Sequence, residues 1–241
     1  METLTIGWLY PTKMNIYGDR GNVLALRQRG AWRGLHTTVR EIGIGDPLSS
    51  DIDVFFFGGG QDQQQVAVAH DLYGAKGDAL KLAIDTGASL LSVCGGYQLL
   101  GHGYRPHNAE PLPGIALFDA ETVAGSERFI GNVVIDSQWG ELVGFENHSG
   151  LTTLGPNQKP MGMVRVGRGN NGTDQTEGAI YRNALGCYLH GALLPKNPVV
   201  TDWLIEQAIR RRNPAFTLQP LPNDLEAKAR STAIERAVAT R

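Results

Sequence analysis

Short apolar runs alternate with longer stretches of helical period over the first hundred residues. Thr3 to Tyr10 reads as a buried strand, Gly21 to Arg33 as a helix and His36 to Ile42 as a second strand. Asp53 to Phe57 reads as a third strand that stops at Gly58-Gly59-Gly60. A helical pattern then runs from about Gln63 to Asp85 with a break at Gly74. Gly87 ends it, and Ala88 to Val93 is the next strand. Strands that are apolar on both faces and separated by helices predict a parallel sheet covered on both sides.

From Pro111 to Arg182 the pattern changes to short strands with Gly and Asn turns: Gly114 to Phe118, Arg128 to Ile135, Leu142 to Phe145, Met163 to Val166 and Gly178 to Tyr181. These read as antiparallel or mixed strands continuing the same sheet system. Gly167 to Glu177, with its Gly-Asn-Asn-Gly run, reads as a mobile loop. Leu185 to Leu189 returns to a buried strand and Pro198 to Arg211 to a helix. A last helix, from about Asp224 to Val238, places Leu225, Ala229, Ile234 and Val238 near one face. The expectation is an α/β fold of one domain over residues 1–212, with a helix-bearing extension over 213–241.

Composition narrows the chemistry. Glycine supplies 31 of 241 residues, about 13% against a usual ~7%, but with only 12 Pro and no Gly-x-y period neither a collagen-like nor a disordered chain fits. A net charge of -2 and the absence of a basic stripe give nucleic acid no electrostatic support. Two cysteines without C-x-x-C spacing fit neither a disulfide scaffold nor a metal site, and favour a reducing compartment. The start Met1-Glu2-Thr3-Leu4-Thr5-Ile6 lacks the form of a signal peptide, and no apolar run nears ~20 residues, so a cytoplasmic, soluble protein is expected.

The most informative segment is Leu90-Leu91-Ser92-Val93-Cys94-Gly95-Gly96-Tyr97-Gln98. An apolar strand runs into a cysteine flanked by small residues, and a helix follows at once. That is the pattern of a nucleophile elbow, a sharp turn that needs small neighbours. A sulfur at a helix N-terminus is favoured as thiolate, so a low-pKa, exposed Cys94 is expected. Most lone cysteines are small buried hydrophobes, and Cys187, within Leu185-Gly186-Cys187-Tyr188-Leu189, reads that way. A thiolate nucleophile needs a base that is close in space, usually His. His190 leads, because it ends an apolar strand where α/β sheets place their sites. His148 comes second, while His36, His70, His102 and His107 sit in surface or helix contexts. The Gly58-Gly59-Gly60-Gln61 turn after a buried strand suits an oxyanion hole or anion nest. Phosphate binding is the weaker alternative, because neither the Walker nor the G-x-G-x-x-G pattern is met.

A Gly-rich turn, then Cys94-Gly95-Gly96-Tyr97-Gln98, then a strand-end His190 resembles the class I glutamine amidotransferases with their flavodoxin-like domain. The closer likeness is to the cobyric-acid-synthase-like branch, and within it to the glutaminase subunits of lipid II isoglutaminyl synthases. Tyr10-Pro11-Thr12-Lys13-Met14-Asn15-Ile16-Tyr17-Gly18-Asp19-Arg20-Gly21-Asn22 and Gly144-Phe145-Glu146-Asn147-His148 carry it. The resemblance implies Cys94 as nucleophile and His190 as general acid/base. It also implies backbone N–H groups of Gly60 and Gly95 as oxyanion hole, and Arg128 as binder of the substrate α-carboxylate. No metal or cofactor is implied in this chain. The implied partner is a Mur-ligase-like synthetase carrying ATP and Mg, which uses the ammonia to amidate the D-glutamate α-carboxylate of the lipid II stem peptide. One departure matters: class I enzymes commonly place Glu two residues after the His, and here Ala192 stands there. The third group is then absent, or comes from Asp19, Glu146 or the partner. Another amidating synthetase of cobyrinate type and an idle regulatory scaffold are the alternatives.

Overall fold

The apolar runs of the N-terminal half become parallel strands in the computed structural model, which describes residues 2–239. Met1, Thr240 and Arg241, at the ends of the segments 1–212 and 213–241, lie outside the described residues. In chain order β1 (Thr3–Leu9), α1 (Arg20–Ala31), β2 (His36–Ile42), β3 (Val54–Phe57), α2 (Asp62–Leu72), α3 (Ala75–Asp85), β4 (Ser89–Val93) and α4 (Gly95–Leu100) come first. Then follow β5 (Gly103–Arg105), β6 (Leu112–Pro113), β7 (Ala120–Ser137), β8 (Gly140–Leu154), β9 (Gly162–Val166) and β10 (Thr176–Glu177). β11 (Ala179–Tyr181), β12 (Ala184–Cys187), α5 (Leu193–Lys196), α6 (Pro198–Arg210) and α7 (Asp224–Ala239) complete the series.

The first sheet has the order β11-β12-β4-β3-β1-β2 and is parallel except for the edge strand β11. β3 and β4 are buried along their whole length, as strands with helices on both faces must be. From β1 the chain goes first to β2 on one side and then to β3 on the other. The carboxyl ends of β1 and β3 therefore flank the switch point where open α/β sheets bind ligands. The break expected at Gly74 is present, with φ +92 separating α2 from α3.

Residues 103–177 do not continue this sheet. They form a second one, ordered β10-β9-β7-β5-β6 with β8 paired to β7, and most of its ladders are antiparallel. Gly114 to Phe118 is not a strand. Its N–H groups instead reach the end of α4, with Leu117 and Phe118 both donating to Leu100, while Ile115, Leu117 and Phe118 fill the core. The apolar run is real, but the free carbonyls of a helix end compete successfully for its backbone. The segment from Gly167 to Glu177 is not loose either. The Asn170 side chain is wholly buried and bonds Thr176 and Gly178, and Asn171 Oδ1 accepts from the N–H groups of Thr173 and Asp174. The two sheets are stitched where Phe145 and His190 exchange backbone hydrogen bonds of 3.2 and 2.8 Å.

The C-terminal helix docks on β7 and β8. Ala233, Ile234 and Ala237 cover Val134, Val143 and Val166. Of the face expected from the sequence only Ile234 packs, for Leu225 is 82% and Val238 49% exposed. Polar contacts fix the start of the helix: buried Arg29 on α1 binds Asp202 on α6, Glu226 on α7 and Asn223 just before it. Among the described residues no helix is long and apolar enough to cross a membrane.

Candidate active site

Cys94 occupies the turn between β4 and α4 with φ +53, the left-handed region that side chains avoid unless the fold imposes it. The small neighbours are required: a Cβ at Gly96 would stand 2.6 Å from the carbonyl oxygen of Phe57. The thiol is 7% exposed and lines a cavity, so the expected exposed sulfur is in fact a buried one. Ile16 and Tyr17 from the chain after β1, and Arg128, Asn147 and His148 from the second sheet, share that cavity. Cys187 is wholly buried, as expected, and its carbonyl accepts the N–H of Cys94 at 2.8 Å.

His190 is also wholly buried. Its Nδ1 lies 3.2 Å from Asp19 Oδ1, and Asp19 Oδ2 accepts the N–H of Gly59 at 3.0 Å. An imidazole that donates from Nδ1 to a carboxylate presents Nε2 as acceptor. That nitrogen has no nitrogen or oxygen partner and is left for Cys94. Burial works against protonation of the ring. Its interactions with the Cys94 sulfur and the Asp19 carboxylate outweigh burial and carry its pKa up to about 10. Gly59 is wedged between the pair: a Cβ there would stand 3.0 Å from Cε1 of His190 and 3.3 Å from Cβ of Cys94.

The missing Glu at position 192 has a packing counterpart. A Cβ on Gly21 would meet Cβ of Ala192 at 2.6 Å, so this turn lies tight against the start of α1. From that same helix start Asp19 reaches the imidazole. It holds the N-cap position but makes no side-chain cap, its carboxylate being committed to His190 and Gly59. Glu146, the other internal candidate, is directed elsewhere and accepts the N–H groups of Arg168 and Gly169.

A cavity of about 430 Å³ opens over Cys94, with Gly60, Tyr17, Arg128, Gln98 and His148 among its walls. Arg128 reaches it from a bulge in β7. Ala124 pairs with Gly150 and Phe129 with His148, so four residues of β7 stand opposite the single Ser149. Its Nε donates to Asn147 Oδ1 at 2.6 Å and its Nη2 to the Tyr17 hydroxyl at 3.0 Å. Gly60 lines the cavity and Gly95 opens α4, where helix N–H groups are free. The N–H of Gly59 is taken by Asp19.

His148 lines the cavity but is too weak a base to hold a proton at neutral pH. It stacks on Tyr188 with centroids 3.6 Å apart, Nδ1 bonds the Gly150 carbonyl, and burial pulls its pKa down to about 4. Glu177 is fully buried beneath the site with its pKa pushed up to about 8 by burial, and it accepts the N–H of Tyr188 at 2.6 Å. Tyr17, Asn147 and Gln98 were not singled out as site residues by sequence reasoning. For Gln98 the signal was adjacency to the elbow, and for Tyr17 and Asn147 it was only that they lie in the two segments that carry the resemblance, their contacts with Arg128 being a product of the folded chain.

The parallel sheet that carries this cysteine elbow, carboxylate-held histidine and cavity has a fold shared with solved structures. A glutamine amidotransferase from Thermotoga maritima superposes with a TM-score of 0.54 at 14% identity, across 99% of both chains. PurLQS from Thermotoga maritima superposes with a TM-score of 0.60 at 14% identity, covering 87% of this chain and 98% of that one. A family model, the CobB/CobQ-like glutamine amidotransferase domain, matches residues 5–198, and the chain belongs to that family. It is 40% identical over 239 residues to the lipid II isoglutaminyl synthase (glutamine-hydrolyzing) subunit GatD of Staphylococcus aureus (strain N315), across 98% of this chain and 97% of that protein. Identity to the subunit of the same name from Streptococcus pneumoniae (strain ATCC BAA-255 / R6) is 37% over 213 residues, across 87% and 82%.

Proposed function

We propose that this chain is the glutaminase subunit of a lipid II isoglutaminyl synthase. The observation that carries the reading is the placement of His190, held by Asp19, beside Cys94 under a cavity that also contains Arg128. Arg128 binds the α-carboxylate of glutamine, and the side-chain amide reaches Cys94. The thiol proton passes to Nε2 of His190, which holds it at neutral pH, and the sulfur then attacks the amide carbon. Backbone N–H groups of Gly95 and Gly60 receive the oxyanion. Loss of one such donor typically costs ~3 kcal/mol of barrier. Collapse breaks the C–N bond, and His190 gives its proton to the departing nitrogen, which leaves as ammonia. Water, deprotonated by His190, then cleaves the thioester to glutamate and restores the thiol.

The ammonia passes to a Mur-ligase-like partner subunit that holds ATP and Mg and amidates the D-glutamate α-carboxylate of the lipid II stem peptide. Matches across 97% and 82% of the length of two lipid II isoglutaminyl synthase (glutamine-hydrolyzing) subunits support this acceptor over cobyrinate-type amidation. The reading assigns the protein to the cytoplasm, where a reduced Cys94 persists. It also makes the triad internal to this chain through Asp19. Ammonia release from glutamine, measured with the full chain alone and with its synthetase partner, tests it. Cys94→Ala and His190→Ala are expected to lower the rate by at least about 10³-fold. Undiminished turnover in Cys94→Ala overturns the mechanism.

A further inference from the structure

Tyr17 lines the cavity and touches both Arg128 in its wall and the buried His190 behind it. Its hydroxyl oxygen accepts the 3.0 Å hydrogen bond from Nη2 of Arg128. Its ring stands edge-on to the His190 imidazole, with centroids 5.1 Å apart and planes at 76°. The backbone is forced to achieve this: Tyr17 has φ +53 and Gly18 φ +80, and the left-handed region is disfavoured for a bulky side chain. Wholly buried Met14 and Asp19 hold the segment on either side. Tyr17 itself is 45% exposed, so apolar burial is a weak reason for the conformation. The polar geometry is the better one.

We infer that Tyr17 is a substrate-binding residue whose hydroxyl, together with the Arg128 guanidinium, forms a single clamp for the α-carboxylate of the substrate. This rests on the glutaminase reading above. An arginine donor uses the phenol oxygen as acceptor, which leaves the phenol hydrogen free to donate. Asn147 fixes Arg128 as well, its side-chain oxygen accepting from Nε and its backbone carbonyl from Nη2, so the guanidinium is pre-oriented before substrate arrives. One carboxylate oxygen then takes the guanidinium and the other the phenol O–H. An amide without an α-carboxylate gains nothing from this clamp.

Steady-state glutaminase kinetics of the full chain with its synthetase partner, comparing wild type with Tyr17→Phe, test the inference. The variant keeps the ring against His190 and removes only the hydroxyl. KM for glutamine is expected to rise about tenfold, the scale of one hydrogen bond to a charged group, with kcat lowered much less. The activity towards 4-aminobutanamide, which is glutamine without its α-carboxylate, is expected to stay at the wild-type level, however low that is. An unchanged KM for glutamine, a fall confined to kcat, or an equal proportional loss with both amides overturns the inference. A wild-type complex that releases no ammonia from glutamine overturns the glutaminase reading instead.

Discussion

His190 shows how much of the site depends on single contacts. Its pKa is raised to about 10 by the Cys94 sulfur and by Asp19 against the opposing effect of burial, so it is protonated at neutral pH and loses its proton only on the alkaline side. In the proposed mechanism the proton meant for the leaving nitrogen is then gone, and kcat/KM is expected to fall. Asp19→Asn removes one of the two groups that raise the value. The alkaline limb of the pH–rate profile is therefore expected to move to lower pH, with the Cys-His pair titrating as a unit. A profile that keeps its alkaline limb would deny Asp19 this role. Cys94 and His190 were legible in the sequence because an elbow and a strand-end histidine are local patterns. Asp19 was only one of several options, since an aspartate before a helix reads equally well as an N-cap.

At the scale of elements, four strand ends and one bulge bring the site together. β3 delivers Gly58 to Gly60, β4 delivers Cys94, the chain after β12 delivers His190, and the chain after β1 delivers Tyr17 and Asp19. Gly59 is the spacer between thiol and imidazole, and Gly59→Ala would press on both. Glutaminase kcat is expected to fall by about tenfold or more, while the unfolding midpoint changes little, because a displacement well under 1 Å is felt in reactive geometry before it is felt in stability. A kcat within twofold of wild type would mean that the pair tolerates the methyl. The strands of the first sheet were legible from apolar runs bounded by glycine. β5, β6 and the full lengths of β7 and β8 were not, because their exposed and buried positions follow pairing across a second sheet and a bulge. The run Gly114 to Phe118 misled for the converse reason, its backbone being taken by a helix end.

Across the whole molecule, the second sheet meets the first at Phe145 and His190, and the helices α1, α6 and α7 meet on a buried charge. The Arg29 side chain is 4% exposed and binds Asp202 through both Nε and Nη2 at 2.7 Å. Asp202→Ala leaves that charge with Glu226 and Asn223 alone. A loss of about 3 kcal/mol is expected, lowering the thermal midpoint by roughly 6–12 °C. Ten residues of α1 separate Arg29 from Asp19, about 15 Å, so the activity of the folded fraction should be preserved. An unchanged midpoint would show that Glu226 and Asn223 suffice. The position of α7 was open in the sequence, where Leu225, Ala229, Ile234 and Val238 defined a face. The structure chose the neighbouring face because three valines of β7, β8 and β9 needed cover.

The sequence by itself determined the parallel α/β layer, the cysteine elbow and the strand-end histidine, since each is written in contiguous residues whose period or spacing has a direct physical meaning. Only the tertiary structure decided that Asp19 holds the imidazole, that Tyr17 and Asn147 hold Arg128, and that the second half of the chain builds its own sheet. Those outcomes join residues up to 171 positions apart. Such contacts are set by which backbone groups and charges remain unsatisfied after the layers pack, a quantity no local stretch of chain contains.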